Sequence, residues 1–137
     1  LRLDIDSNGY IYTLGLDKTM YKISPSGNQE WSVTNDDFYK PNALAVDKTD
    51  NHVYVGSYHG TRKYDLNGNL VTDENWPFGN RAYSLSIDPK EPYIYLAGKD
   101  GTVTKITKYG NEFIYKTGWR FTEHTGPVNS VFVRTSY

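Results

Sequence analysis

The stretch Leu44 to Trp76, LAVDKTDNHVYVGSYHGTRKYDLNGNLVTDENW, holds one full copy of a unit that the rest of the chain repeats. Its apolar residues alternate with polar ones, the period of a strand, and clusters of Asp, Asn and Gly interrupt the alternation at turns. Four strand-like segments follow one another: Leu44 to Val46, one centred on Val53, one ending in Lys63-Tyr64, and one carrying Trp76. Turns this short predict an antiparallel meander.

Outward from this stretch the same anchors recur. Asp6, Asp47 and Asp88 close the tetrapeptides LDID, LAVD and LSID at intervals of 41 and 41 residues. Tyr12, Tyr54 and Tyr95 recur at 42 and 41, and Gly27, Gly68 and Gly110, each followed by Asn, at 41 and 42. A repeat of about 40 to 45 residues with four strands is the signature of a β-propeller blade. The fold class expected is therefore all-β, with three four-stranded antiparallel blades and the first strand of a fourth. Blades are expected at 1–43, 44–84 and 85–127, with the further strand in 128–137. Closed rings typically have about 4 to 8 blades, so the remainder of a larger ring is expected outside this sequence or in copies of it.

Composition narrows the function classes. Fifteen basic and 16 acidic residues leave a net charge of -1, which provides no global field for nucleic acid or an anionic membrane. The absence of Cys removes disulfides, thiolate nucleophiles and Cys-ligated zinc. No apolar run reaches the length of a spanning helix, and LRLDIDSNG carries neither a basic nor an apolar leader region. Nothing visible sets a compartment. The 13 Tyr suit strands whose side chains have an apolar body and a wet tip.

On these motifs the chain resembles the WD-repeat propellers and their NHL and quinoprotein-like relatives. LAGKDGTVTKI resembles the WD-repeat second hairpin, EHTGPVNSVFV the loop into the next first strand, and PNALAVD and YDLNGN are similar to NHL-type blades. The resemblance implies a propeller and a habit of binding. Asp100 matches the family's turn Asp and His124 its loop His, but they fall in different blades, and no unit has the Trp-Asp dipeptide. No quinone-binding set is visible and no cofactor is expected. The blades also resemble repeat proteins of bacteriophage virions and bacterial surfaces, which adds a structural, glycan-recognising component as an alternative function.

No catalytic motif stands out: there is no G-x-S-x-G elbow, no phosphate-cradling loop, and no complete calcium loop with its distal Glu. An enzyme with an axial site completed by other blades is the third possibility. Asp6, Asp47 and Asp88 are expected to cap turns. His52, His59 and His124 have no metal-ligand spacing, and His59 stands where the other units have Asp17 and Asp100. Lys22, Lys63 and Lys105 are expected on solvated strand faces. Trp31, Trp76 and Trp119 are expected to pack between blades.

The loops before each first strand hold Phe38, Tyr39 and Lys40, then Phe78, Asn80, Arg81 and Tyr83, then Arg120, Phe121 and His124. Aromatic and Arg residues on rigid loops are the material of binding hot spots. The expected partner surface is Tyr39, Lys40, Arg81, Tyr83, Arg120 and His124. It would meet a protein or a glycan, with further blades as structural partners and no nucleic acid or membrane. The expected function is a non-catalytic binding or assembly scaffold.

Overall fold

Three small antiparallel sheets stand in sequence order along the chain. The structure, a computed structural model, describes residues 2–76, 82–98, 101, 103–110 and 131, and the backbone of 119–121. The first sheet comprises β1 (Arg2–Ile5), β2 (Ile11–Leu14), β3 (Thr19–Ile23) and β4 (Gln29–Thr34), paired in that order. A single 3-10 turn, Asp36–Phe38, leads to the second sheet, β5 (Ala43–Asp47), β6 (His52–Ser57) and β7 (Gly60–Asp65). The third sheet comprises β8 (Ala82–Ile87), β9 (Tyr93–Gly98), β10 (Val103–Thr107) and β11 (Trp119–Phe121).

The turns work as their residue types predict. Asp6 Oδ1 accepts from the Asn8 and Tyr10 amides, Asp47 Oδ1 from Thr49 and Asp50, and Asp88 Oδ1 from Lys90 and Glu91, all within 3.2 Å. Each repeated Asp is a turn cap. Gly27, Gly68 and Gly110 sit at φ 90°, 85° and 77°, which is why glycine recurs at that turn position.

Packing joins one face of each sheet to the opposite face of the next. Tyr12, Leu14 and Met20 of the first sheet form a core with Val46, Val53, Val55 and Tyr64 of the second. Tyr54, on the other side of the second sheet, packs on Ile94, Leu96 and Ile106 of the third. The second sheet is covered on both faces, so Val53 through Ser57 are buried without alternation.

A polar contact repeats at both junctions. Lys22 Nζ and Trp31 Nε1 both donate to the Leu66 carbonyl, at 3.0 and 3.1 Å. One unit on, Lys63 Nζ and Tyr54 Oη donate to the Lys108 carbonyl, at 3.0 and 3.2 Å. Leu66 and Lys108 hold equivalent turn positions. Expectation and structure differ here: these lysines are not on solvated faces, and Lys63 is buried, because a carbonyl of the next sheet takes its charge-assisted hydrogen bond. Glu74 completes its neutralisation at 2.9 Å.

Lys108 is itself buried and reaches Asp47 at 2.7 Å and Asp50 at 3.3 Å. Burial alone would lower its pKa, but the two carboxylates outweigh that cost and hold it above the ordinary ammonium value. Burial, followed by the nearby Asp47 charge, pushes the Tyr54 phenol well above its usual range.

The second unit departs from the expected four strands. After an isolated bridge between Leu70 and Tyr64, residues 71–76 form no strand. The Asn75 amide instead bonds to the Tyr109 carbonyl of the third sheet at 3.1 Å, and the Trp76 ring packs 5.5 Å from Tyr54. Trp31 and Trp76 thus pack between sheets, while the Trp119 side chain lies outside the described residues. The strand expected in 128–137 lies outside them too, except that the Val131 amide donates to Ser84 Oγ at 3.2 Å.

Candidate functional site

Most tyrosines of the first two sheets are drawn inward, yet Tyr39 and Tyr58 are 40% and 42% exposed. Local structure holds them there. Asn35 caps the 3-10 turn by accepting from the Asp37 amide at 3.0 Å, and its Nδ2 donates to Tyr64 Oη at 3.1 Å. Phe38, expected among the exposed loop aromatics, is instead buried with its ring 5.5 Å from Tyr64, since it closes the end of the core between the first two sheets. Tyr39, next in the chain, is thereby fixed on the surface side.

The β6–β7 turn meets it. The Tyr58 amide donates to the Tyr39 carbonyl at 2.9 Å, and Ser57 Oγ donates to the Asp37 carbonyl at 2.7 Å. Tyr39 and Tyr58 stand edge to face with centroids 5.6 Å apart, and the His59 ring lies 5.9 and 5.5 Å from them. Cations border the rings: Lys40 Nζ lies 5.3 Å from the Tyr39 centroid and 5.8 Å from that of Tyr58, and Lys18 Nζ lies 5.8 Å from Tyr39. Lys18 pairs with Asp36 and Arg62 with Asp37, each at 3.2 Å. The result is a stiff aromatic patch with positive charge on its rim.

A recess lies apart from this patch, among the first strands of the three sheets. It encloses about 280 Å³ and is lined by Arg2, Asn42, Ala43, Leu44, Tyr83, Ser84 and Leu85. The Arg2 guanidinium donates to the Asn42 carbonyl. Tyr83, expected in a loop, is a strand residue: the register of β8 on β9 shifts between Ala82 and Ser84, and a bulge there re-aims one side chain.

Of the expected partner surface, Tyr39 and Lys40 come together in the aromatic patch, and Tyr83 lines the recess instead. The Arg120 backbone belongs to β11, where it pairs with Thr104, rather than to a loop. Arg81 and His124 lie outside the described residues. Sequence reasoning passed over Tyr58. Its signal was a departure from the repeat, since Leu16 and Lys99 stand at the equivalent positions. His52 is half-buried in β6, paired in register with Asp47, and is remote in role from the exposed His59. Among the described residues no three His, Asp or Glu side chains cluster as metal ligands.

Comparison with known proteins finds no family model and no curated protein that matches the chain.

Proposed function

We propose that the three sheets are blades of a β-propeller and that the chain is a non-catalytic binding or assembly scaffold whose partner docks on Tyr39, Tyr58, His59 and Lys40. The propeller reading is supported by the common repeat, the meander order within each sheet, and the same polar contact at both sheet junctions. The binding reading rests on one observation above all: the Tyr58 amide bonded to the Tyr39 carbonyl at 2.9 Å fastens two exposed tyrosines to each other. Rings held this way lose little freedom when they are covered, so more of the contact energy appears as affinity. Aromatic residues beside a cation are the composition of protein hot spots.

Exposed tyrosine rings also accommodate a glycan, and the two readings separate experimentally. Wild-type chain and the Tyr39→Ala and Tyr58→Ala variants are compared on a glycan array and in retention of protein partners from native extracts. The scaffold reading expects protein retention that drops at least about tenfold in both variants, the size of a hot-spot truncation, with folding unchanged. Glycan binding lost in the same variants selects the second reading. Binding indifferent to both substitutions overturns the assignment of this patch.

A further inference from the structure

Among the described residues other than glycine, Lys18, Lys40 and Asn51 have a left-handed backbone, with φ of 60°, 48° and 58°. Asn tolerates that region; a lysine rarely enters it. The two lysines are the ones that border the Tyr39 ring. Lys18 even stands at the turn position that Gly60 and Gly101 hold in the other units, at φ 101° and 80°. Strained backbone gathered at one exposed patch is a mark of function, because glycine would serve the fold as well without the charge.

The chain on both sides of Lys40 is pinned to β6 and the turn after it. The Tyr58 amide donates to the Tyr39 carbonyl and the Asn42 amide to the Gly56 carbonyl, each at 2.9 Å. So held, the exposed Lys40 ammonium stands over both rings, 5.3 Å from the Tyr39 centroid and 5.8 Å from that of Tyr58.

The nearby carboxylates are already engaged. Asp36 pairs with Lys18 and Asp37 with Arg62, each at 3.2 Å, and Asp17 accepts from the Thr19 amide in its own turn. Among the described residues no carboxylate pairs with Lys40 or His59, so Lys40 is the surplus cation of the patch. Its charge selects the ligand. A neutral sugar would have to displace the ammonium groups of Lys18 and Lys40 to stack on these ring faces, whereas a carboxylate is drawn to them.

We infer that the docking partner is an acidic protein segment, with an Asp or Glu carboxylate pairing with the Lys40 ammonium and an adjacent apolar side chain packing on Tyr39 and Tyr58. This rests on the reading of the patch as the docking site and names the chemistry of what docks there. The rings supply contact area, and the lysine, already positioned, supplies the choice of partner.

The test measures binding of three synthetic peptide libraries that share their apolar positions and carry Glu, Gln or Lys at the others. Wild type is expected to bind the Glu library at least about tenfold more tightly than the Gln library, less so as salt is raised, and to leave the Lys library unbound. Lys40→Met, which keeps the aliphatic stem on the rings, is expected to lose that preference. Lys40→Gly is expected to lose it too, with a melting temperature no lower than wild type, since glycine takes this backbone without strain. A lysine kept for stability alone would lower the melting temperature in Lys40→Gly and leave the preference intact, which overturns the inference. Tyr39→Ala is expected to weaken the Glu and Gln libraries alike. Glu and Gln libraries that bind wild type equally, both lost in Tyr39→Ala, overturn the acidic partner and leave the docking site standing. Binding that ignores Tyr39→Ala overturns both. No binding by any library overturns the inference, and polygalacturonate held through Lys40 in that case selects an acidic glycan.

Discussion

The Lys63 ammonium donates to the Lys108 carbonyl across 3.0 Å, joining the second sheet to the third through a side chain that is almost wholly buried. The bond is one of a pair, since Lys22 and Leu66 do the same one unit earlier. Replacing Lys63 by Met keeps the aliphatic stem but leaves the carbonyl short of a donor and Glu74 without its cation. A loss of about 2 to 4 kcal/mol is expected, the cost of breaking one side of a buried ionic contact. Urea unfolding measures it, with the exposed Lys48→Met expected to stay within about 0.5 kcal/mol of wild type.

The turn glycines give a graded series. Gly27→Ala pays only for a left-handed backbone and is expected to cost about 1 kcal/mol. Gly110→Ala adds a Cβ 2.6 Å from the Asn75 carbonyl oxygen and 3.1 Å from the Trp76 ring, so about 2 to 4 kcal/mol is expected. Gly68→Ala, facing Val33 and Trp31 at 3.1 and 3.3 Å, falls between them. Thermal melts of the three variants check the order, and equal shifts contradict the packing at the junctions.

Tyr54→Phe removes one of the two donors to the Lys108 carbonyl and keeps the ring against Trp76. With Lys63 still in place the carbonyl stays satisfied, so the expected loss is about 1 kcal/mol. Combining it with Lys63→Met is expected to cost more than the sum of the single changes, because the carbonyl is then stranded. A double-mutant cycle reads that coupling.

Alkaline solution attacks the same junctions. Burial first, and then the hydrogen bond to Asp6 or the charge of Asp47, raises the phenols of Tyr12 and Tyr54, and Lys108 is raised by its carboxylates. A group whose folded pKa is raised contributes stability that is present below its unfolded value and lost as the pH climbs through the folded one. Stability is therefore expected to hold through neutral pH and to fall from about pH 10 upward, where unfolded Tyr and Lys begin to ionise differently from folded ones. At Asp65 burial acts upward, but the amides of Asn69 and Asn67 and the Asn69 side chain outweigh it and lower the pKa, so its contribution is lost on the acid side. Asp65→Asn is expected to flatten the acid limb and to leave the alkaline limb unchanged, which unfolding curves across pH will show.

The repeat made the strands and turns legible in the sequence, because alternation and the Asp and Gly turn positions are local signals. The fates of Lys22, Lys63 and Phe38 were not legible, since a strand Lys or a loop Phe looks the same whether it meets water or a neighbouring sheet. The irregular segment 71–76 was hidden for a related reason: after the Val71 amide bonds to the Lys63 carbonyl of its own sheet, its backbone turns to another sheet, where the Asn75 amide bonds to the Tyr109 carbonyl. For the candidate site, Tyr39 and Lys40 were readable as aromatic and cationic loop residues. Tyr58 was not, because only the tertiary bond between its amide and the Tyr39 carbonyl makes it their neighbour.

The stacking of successive sheets through one repeated contact is tested most directly by a nuclear Overhauser experiment on the native chain. Contacts are predicted between the Trp31 ring and the Gly68 α-protons, and between the Trp76 ring and the Gly110 α-protons, in the same spectrum. Both cross-peaks together are the result that the repeated junction requires. A spectrum with one of them or neither, from a protein that is folded, would contradict it.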